Sequence, residues 1–323
     1  MLLQHLPVSN INIADDSYRM TFSPQLENLK RSIKAVGLVQ PILVRHTPEG
    51  TYQLVCGYKR VLVFQELNRQ SIPALVSEPN ELTPAQAFLM NFHDNAASRN
   101  LNIIEKANAV MKLRQFCALP EEELVKQYLP LFGEEPSYKL LHELLALSTL
   151  TEPMKNHVVQ ADIAVTSASR IAEFTPSTQQ SLLAVLSYIR PTAGKLNELL
   201  SLIREISARD GMSVESVLER YQLLAIVADE QASPPEKVKA LRQTLRGIRL
   251  PQLTERQQHL AQLIQSLELP DTAKLIADPY FESQKFKLQY QFSNPEELDQ
   301  LIDKIKSAFD KQQWRQIFDW YQT

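Results

Sequence analysis

Apolar residues recur with helical spacing at Leu26, Leu29, Ile33 and Val36, so residues 23 to 36 read as a helix. Ser23 is its expected cap, Pro24 its first helical residue and Gly37 its stop. The pattern then turns to strand: Val39 to Arg45, a turn at Thr47-Pro48-Glu49-Gly50, and Tyr52 to Cys56, where apolar and polar residues alternate. A short helix from Arg60 to Leu67 and a strand over Ile72 to Val76 follow. Thr83-Pro84-Ala85-Gln86 and Asn102-Ile103-Ile104-Glu105 are capping boxes, so a helix is expected after each, joined by the polar stretch 93–101.

Helical spacing continues to about Ala228. Leu119 to Tyr128 opens with Glu121, Glu122 and Glu123, and Ser137 to Leu147 carries Leu140, Leu141, Leu144 and Leu145. Their connection, Tyr128 to Pro136, is longer than the three- or four-residue turn of a tight helix pair. Further helices open at Pro191-Thr192, with Leu196, Leu199, Leu200 and Ile203 on the buried side, and at Ser213. Asp229 to Glu236 reads as a linker. Thr254 to Leu267 is another helix. Lys285 to Phe292 alternates as a half-buried strand, and Asn294-Pro295-Glu296-Glu297 caps a helix with Leu298, Leu301, Ile302, Ile305 and Phe309 on one face. A lone strand must find partners for its backbone, here other strands or a second copy of the chain. Trp314, Phe318, Trp320 and Tyr321 are spaced to complete that small core.

Composition narrows the classes. At 323 residues the chain is long enough for two or three domains, and only 7 glycines favour helices over tight turns. The net charge of −3 gives no global basic field, so any contact with nucleic acid must come from a local patch. Lys237 to Arg249 is the one clear patch, with Lys237, Lys239, Arg242, Arg246 and Arg249 and no acids, although such a run also suits a solvated helix face. Cys56 and Cys117 lack metal-ligand spacing, which fits a reducing compartment and packing roles. No apolar run reaches membrane-spanning length, and a cytoplasmic location is expected.

The chemistry concentrates at Cys56-Gly57-Tyr58-Lys59-Arg60. A strand, a glycine and a helix start offer unpaired amides and the positive end of a helix dipole, and Lys59 and Arg60 add full charges; this is an anion site in outline, or an ordinary solvated turn. The order and spacing of Gln40-Pro41-Ile42-Leu43-Val44-Arg45, Gly57-Tyr58-Lys59-Arg60, Ile72-Pro73-Ala74, and Asp94-Asn95 with Leu101-Asn102 and Glu105-Lys106-Ala107 resemble the N-terminal domain of ParB-type chromosome or plasmid partition proteins, over roughly residues 8 to 115. The same fold family includes sulfiredoxin, whose nucleophilic cysteine follows the motif glycine; here Tyr58 stands there, and Cys56 precedes the glycine in a strand.

The resemblance implies a cytidine triphosphate (CTP) site with Mg2+. It places Gln40, Pro41 and Arg45 at the nucleotide, Gly57, Lys59 and Arg60 at the phosphates, and Asp94 and Asn95 at phosphate or metal. Three departures stand out: Tyr58 replaces a glutamate, Asp94 replaces a glutamate one methylene longer, and Ser98 stands where an arginine is expected, with Arg99 one residue later. One residue is about 100° of helical rotation, so Arg99 reaches the same ligand only across an irregular backbone. Glu105 reads as the capping partner of Asn102.

An α+β multidomain fold follows: a ParB/sulfiredoxin-like α/β domain over residues 1–115, an all-α domain in the helix-turn-helix position over 116–228, a linker and basic helix over 229–252, and a small α+β domain over 253–323 that could dimerise. Ser137, Lys139 and His142 are the expected DNA-facing residues, but residues 101–200 carry nine Lys and Arg against eleven Asp and Glu, a balance unlike that of a DNA reader. The resemblance implies CTP-gated DNA binding by a homodimer, associated with the nucleoid and with a partition ATPase as possible partner. The alternatives are an interaction scaffold that has lost DNA reading, favoured by that charge balance, and a slow CTP hydrolase.

Overall fold

In the computed structural model the chain forms two compact units: residues 1–200 with 214–230, and residues 201–213 with 231–323. Position 115 therefore lies inside the first unit, and the basic helix after residue 230 lies in the second. The structure describes every residue except Pro48, Glu49, Pro79, Pro270, Asp271, Gln284, Lys311 and Thr323, and the side chains of residues 308–310 and Gln322. Two positions of the expected 47–50 turn and the side chain of Phe309 thus lie outside the described residues.

The first unit opens with a five-stranded mixed sheet. Its strands are β1 (Leu2–Pro7), β2 (Ile11–Asn12), β3 (Ile42–His46), β4 (Tyr52–Cys56) and β5 (Ser71–Ser77), in the order β1-β5-β3-β4-β2. The β3 strand is antiparallel to β4 and parallel to β5, while β1 closes one edge antiparallel to β5. Helices α1 (Glu27–Val36) and α2 (Tyr58–Glu66) cover the sheet, and Leu6, Ile33, Ile42, Val44, Val61, Phe64, Ile72 and Ala74 form its core. The continuous burial of Ile42, Leu43 and Val44 suits a central strand covered on both faces. The β1 strand escapes a pattern-based reading because only Leu6 is buried, while Leu2 and Leu3 face solvent.

The expected helix from Ser23 begins instead at Glu27, and Ser23 sits at φ 48 without capping it. The cause lies far along the chain. The Phe22 amide donates to Glu105 at 3.1 Å, and the Phe22 carbonyl accepts from Asn102 at 3.2 Å. Both backbone groups of Phe22 are held elsewhere, so no helical turn forms there. The next two helices follow their capping boxes: α3 (Pro84–Ser98) is capped by Thr83 with Gln86, and α4 (Ile103–Cys117) by Asn102 with Glu105.

The central helices are α5 (Glu121–Glu123), running into a π-helical turn at Leu124–Tyr128 and a 3-10 turn at Leu129–Phe132, then α6 (Tyr138–Ala146), α7 (Glu152–Gln160), α8 (Val165–Ala172) and α9 (Pro176–Leu186). Leu141, Leu144 and Leu147 are buried, so the leucine-rich face of α6 is core. Helix α10 (Ala193–Asp210) is followed by α11 (Val214–Arg220) and α12 (Leu223–Ala228).

In the second unit the expected linker is shorter than the sequence suggests. Ser233, with Glu236, caps α13 (Pro234–Arg249), which turns directly into α14 (Pro251–Gln265). The expected strand is β7 (Lys287–Tyr290), and it finds an antiparallel partner in β6 (Ala273–Ile276). Its face is less covered than the alternation implies, with Leu288 exposed. Helices α15 (Pro295–Asp310) and α16 (Gln313–Gln322) complete the unit, where Leu260, Leu267, Trp314, Ile317 and Tyr321 form a core. Among the described residues no helix is long and apolar enough to cross a membrane.

Candidate functional site

Gly57 ends β4 and opens α2 at φ 103 and ψ 23, a left-handed conformation that glycine adopts without penalty. A Cβ there would lie 2.7 Å from Ile42 Cγ2, so the strand-to-helix corner admits no side chain. The tight corner aims the first turn of α2 into an open cavity of about 320 Å3, lined by Gly57, Tyr58, Lys59 and Arg60 from α2 and by Asn91, Asp94, Asn95, Ser98 and Arg99 from α3 and its end. That volume is near the lower end for small-molecule sites. Gln40 and the loop Gly37–Val39 form another wall, and Arg19 and Thr21 a third.

The lining is cationic: Arg19, Lys59, Arg60 and Arg99 face one carboxylate, Asp94. Amides in the first turn of α2 have no preceding turn to bond to, which adds further positive potential. Burial, and then the neighbouring Arg99 guanidinium, hold the Lys59 ammonium below the ordinary lysine range. An anion placed beside it would reverse that shift.

Arg99 arrives by the irregular backbone that its numbering requires. Helix α3 stops at Ser98, and Arg99 is extended at φ −160 and ψ 157. Its side chain then turns back: Nε donates to Asn95 Oδ1 at 2.9 Å, Nη1 to Glu105 Oε2 at 2.6 Å and Nη2 to Thr21 Oγ1 at 3.3 Å. Asn95 Nδ2 donates to the Asn91 carbonyl at 2.9 Å, and the Asn91 amide donates to the Val55 carbonyl of β4. Glu105 is buried and also accepts from the Asn102 amide at 3.1 Å. A polar chain thus connects the sheet, α3, Arg99 and the start of α4. Glu105 is the capping partner expected, and it anchors Arg99 as well.

The other expected residues divide. Arg60 Nη1 donates to the carbonyls of Gln40 at 3.0 Å and Pro41 at 2.6 Å, and Nη2 lies 3.7 Å from Asp94. Arg60 therefore frames the 37–41 loop from within the cavity wall. Pro41 contributes that carbonyl but does not line the cavity, and neither does Arg45, which sits on β3 against the Tyr18 hydroxyl. Cys56 is buried. Desolvation, reinforced by Asp94, pushes its thiol up to about 12, which makes it a packing residue and no nucleophile. Arg19, Thr21 and Asn91 line the cavity but carry no signal in the motifs.

Residues 2–92 match the family model of the ParB N-terminal domain. The family likeness is thus one of the N-terminal domain. It is 28% identical over 180 residues to a probable chromosome-partitioning protein ParB of Pseudomonas putida, covering 55% of this chain and 59% of that one. It is 30% identical over 169 residues to a nucleoid occlusion protein of Bacillus velezensis, covering 51% and 56%. The chain thus spans less than two thirds of the length of these relatives. A C-terminally truncated ParB of Caulobacter crescentus, solved with CTP-gamma-S, is 24% identical over 57% of this chain and 97% of that one, at a TM-score of 0.27, too low to carry an argument. The match to the family model ends at residue 92, and geometry places Asp94, Asn95 and Arg99 in the same cavity.

The expected DNA-facing residues lie at the cap and in the first half of α6. Ser137 caps that helix, its Oγ accepting from the Leu140 amide at 3.2 Å. Lys139 and His142 are exposed, but each has a carboxylate near it: Glu143 at 3.8 Å from Lys139 and Glu121 at 3.6 Å from His142. In the second unit, Arg249 of the basic helix α13 pairs with Glu205 at 2.9 Å.

Proposed function

We propose that the cavity at the first turn of α2 binds a nucleoside triphosphate, CTP on the family resemblance, and that its occupancy gates DNA binding in a partition or nucleoid-occlusion role. The observation that carries this reading is the convergence of Arg19, Lys59, Arg60 and Arg99 with a helix N-terminus on one cavity holding a single carboxylate. Lys59 and Arg99 are the direct phosphate contacts in this reading. Arg60, Gln40 and Pro41 shape the loop against which the base would rest, and Asp94 and Asn95 flank the phosphates.

Among the described residues no cluster of three His, Cys, Asp or Glu could hold a metal by itself. The donors present still suit Mg2+, which keeps several waters and is bound through one or two carboxylates plus substrate phosphates. Asp94 would supply the carboxylate, and the ion would supply charge neutralisation between phosphate oxygens. As Asp94 is the one carboxylate lining the cavity and lies near Arg60, slow or absent hydrolysis is expected.

Gating requires that the nucleotide bind one conformation better than another. The polar chain from Val55 through Asn91, Asn95 and Arg99 to Glu105 supports such coupling, because a ligand on Arg99 would act on the first turn of α4. The scaffold reading is favoured by one observation: Lys139 and His142 both have carboxylate neighbours. Titration of the full chain with CTP, GTP, UTP and ATP in Mg2+ tests the reading. CTP should bind preferentially, and Arg99→Ala should weaken it about tenfold or more. Absence of binding by every triphosphate sinks it. DNA retention that falls steeply with salt separates a DNA binder from a scaffold.

A further inference from the structure

We infer that the helical region holds a second anion site, apart from the nucleotide cavity, which takes a tetrahedral oxyanion: free phosphate or the terminal phosphoryl group of a small metabolite. It lies where the starts of α8 and α10 meet the end of α7, and it stands independently of the nucleotide reading.

The chain brings two helix starts to one place. Helix α7 closes with the Ala161 amide donating to the His157 carbonyl at 2.8 Å and the Ile163 amide to the Val158 carbonyl at 3.0 Å, with Asp162 between them at φ 51. That reversal sets Ala164, the residue that opens α8, beside the last turn of α7. The Ala168 amide makes the first full-turn bond of α8, to the Ala164 carbonyl at 3.0 Å, so the amides of Val165 and Thr166 have no helical partner, and no side chain caps the helix. In α10 the corresponding bond runs from Leu196 to Thr192 at 2.9 Å and leaves the amides of Ala193, Gly194 and Lys195. Ala164, Thr192 and Ala193 border the same cavity of about 160 Å3. Two positive dipole ends on one cavity favour a negative occupant.

The side chains of the lining point the same way. Ser167 is 0% exposed, and its Oγ has no hydrogen-bond partner. A buried hydroxyl left unpaired costs stability until a ligand meets it. His157 is 9% exposed; burial, and then the Arg190 guanidinium, hold its imidazole below the ordinary histidine range, a shift that an anion between the two would reverse. Arg190 Nη1 donates to the carbonyl of its own neighbour Ile189 at 2.9 Å, which leaves most of the five-donor fork for a ligand. Asp162 is the carboxylate of this lining, and it is exposed.

Size sets the class of ligand. The cavity has half the volume of the one at α2 and falls below the range of ordinary organic-ligand sites. Amides, a hydroxyl, an imidazole N–H and a guanidinium fork are all donors, which suits a compact group with several acceptor oxygens.

The test is thermal unfolding and calorimetric titration of the full chain with inorganic phosphate, sulfate and glycerol 3-phosphate, each at ionic strength matched with chloride. Phosphate should bind wild type and Arg99→Ala alike, because the site is not the nucleotide cavity. Arg190→Gln should weaken phosphate and sulfate about tenfold or more, and Ser167→Ala about three- to tenfold. In chloride alone Ser167→Ala should unfold no earlier than wild type, since it removes an unpaired polar atom. Glycerol 3-phosphate binding as well as phosphate assigns a phosphoryl group on a small molecule; its exclusion assigns the free anion. Arg190 is exposed, and should its variant still fail to fold, Ser167→Ala carries the test. Stabilisation equalled by chloride, unchanged phosphate affinity in Ser167→Ala and Arg190→Gln, or loss of phosphate binding in Arg99→Ala overturns the inference. Failure of all three free anions, with DNA retention weakened by Arg190→Gln, would make the site a contact for the DNA backbone and overturn it equally.

Discussion

Gly57 is the residue on which the corner depends, for two separate reasons. Its φ of 103 penalises any L side chain, and the methyl of alanine would meet Ile42 at 2.7 Å. Gly57→Ala should therefore lower the unfolding free energy by about 2–4 kcal/mol, combining backbone strain with overpacking. Denaturant unfolding measures it, and a change below about 0.5 kcal/mol would contradict the corner as described. The glycine and its two following cations were legible in the motif. The identity of its neighbour was not, because Ile42 comes from a different strand. The same holds for Arg60: its position is a matter of sequence, while its engagement with Gln40 and Pro41 depends on how the 37–41 loop folds back.

Among elements, the joint between α3 and α4 does the most. Glu105 caps α4, receives Arg99 and takes the amide of Phe22, all from a side chain that is 3% exposed. Removing one partner of a buried ion pair leaves the other charged and unmatched. Glu105→Ala should cost about 3 kcal/mol or more, against a smaller loss for Glu105→Gln, which keeps an acceptor for the two amides. Thermal unfolding of the two variants side by side reads the difference; equal losses would show that the Arg99 pair contributes nothing. Both capping boxes were visible in the sequence because a cap is closed within four residues. The start of α1 was not, since the groups that hold Phe22 lie 80 and 83 positions further on.

For the whole molecule, the open question of assembly turns on the second unit. Strands β6 and β7 form a two-stranded sheet, which leaves an outer edge on each, and Leu288, Phe292 and Ile302 are exposed on that unit. Such a sheet is marginal without further strands or cover. The full chain should therefore run in light scattering at about twice its 36.9 kDa mass, and Leu288→Asp combined with Phe292→Asp should return it to the monomer without loss of helical signal. A wild-type monomer at tens of micromolar would remove the dimer from the proposed function.

What the sequence determined by itself was local: two capping boxes that close as expected at Thr83 and Asn102, the alternation of β4, the glycine corner, and the ordered motifs that resemble the ParB N-terminal domain. Tertiary structure decided the rest. It shortened α1, paired β5 and β7 with strands that no pattern announced, set Arg45 outside the cavity, and brought Arg19 and Arg99 into it. The reason is one of range. Periodicity and caps report contacts within a few residues, whereas the cavity is built where Arg19, Tyr58 and Arg99 meet from three segments, each held by hydrogen bonds that have no signature in its own neighbourhood.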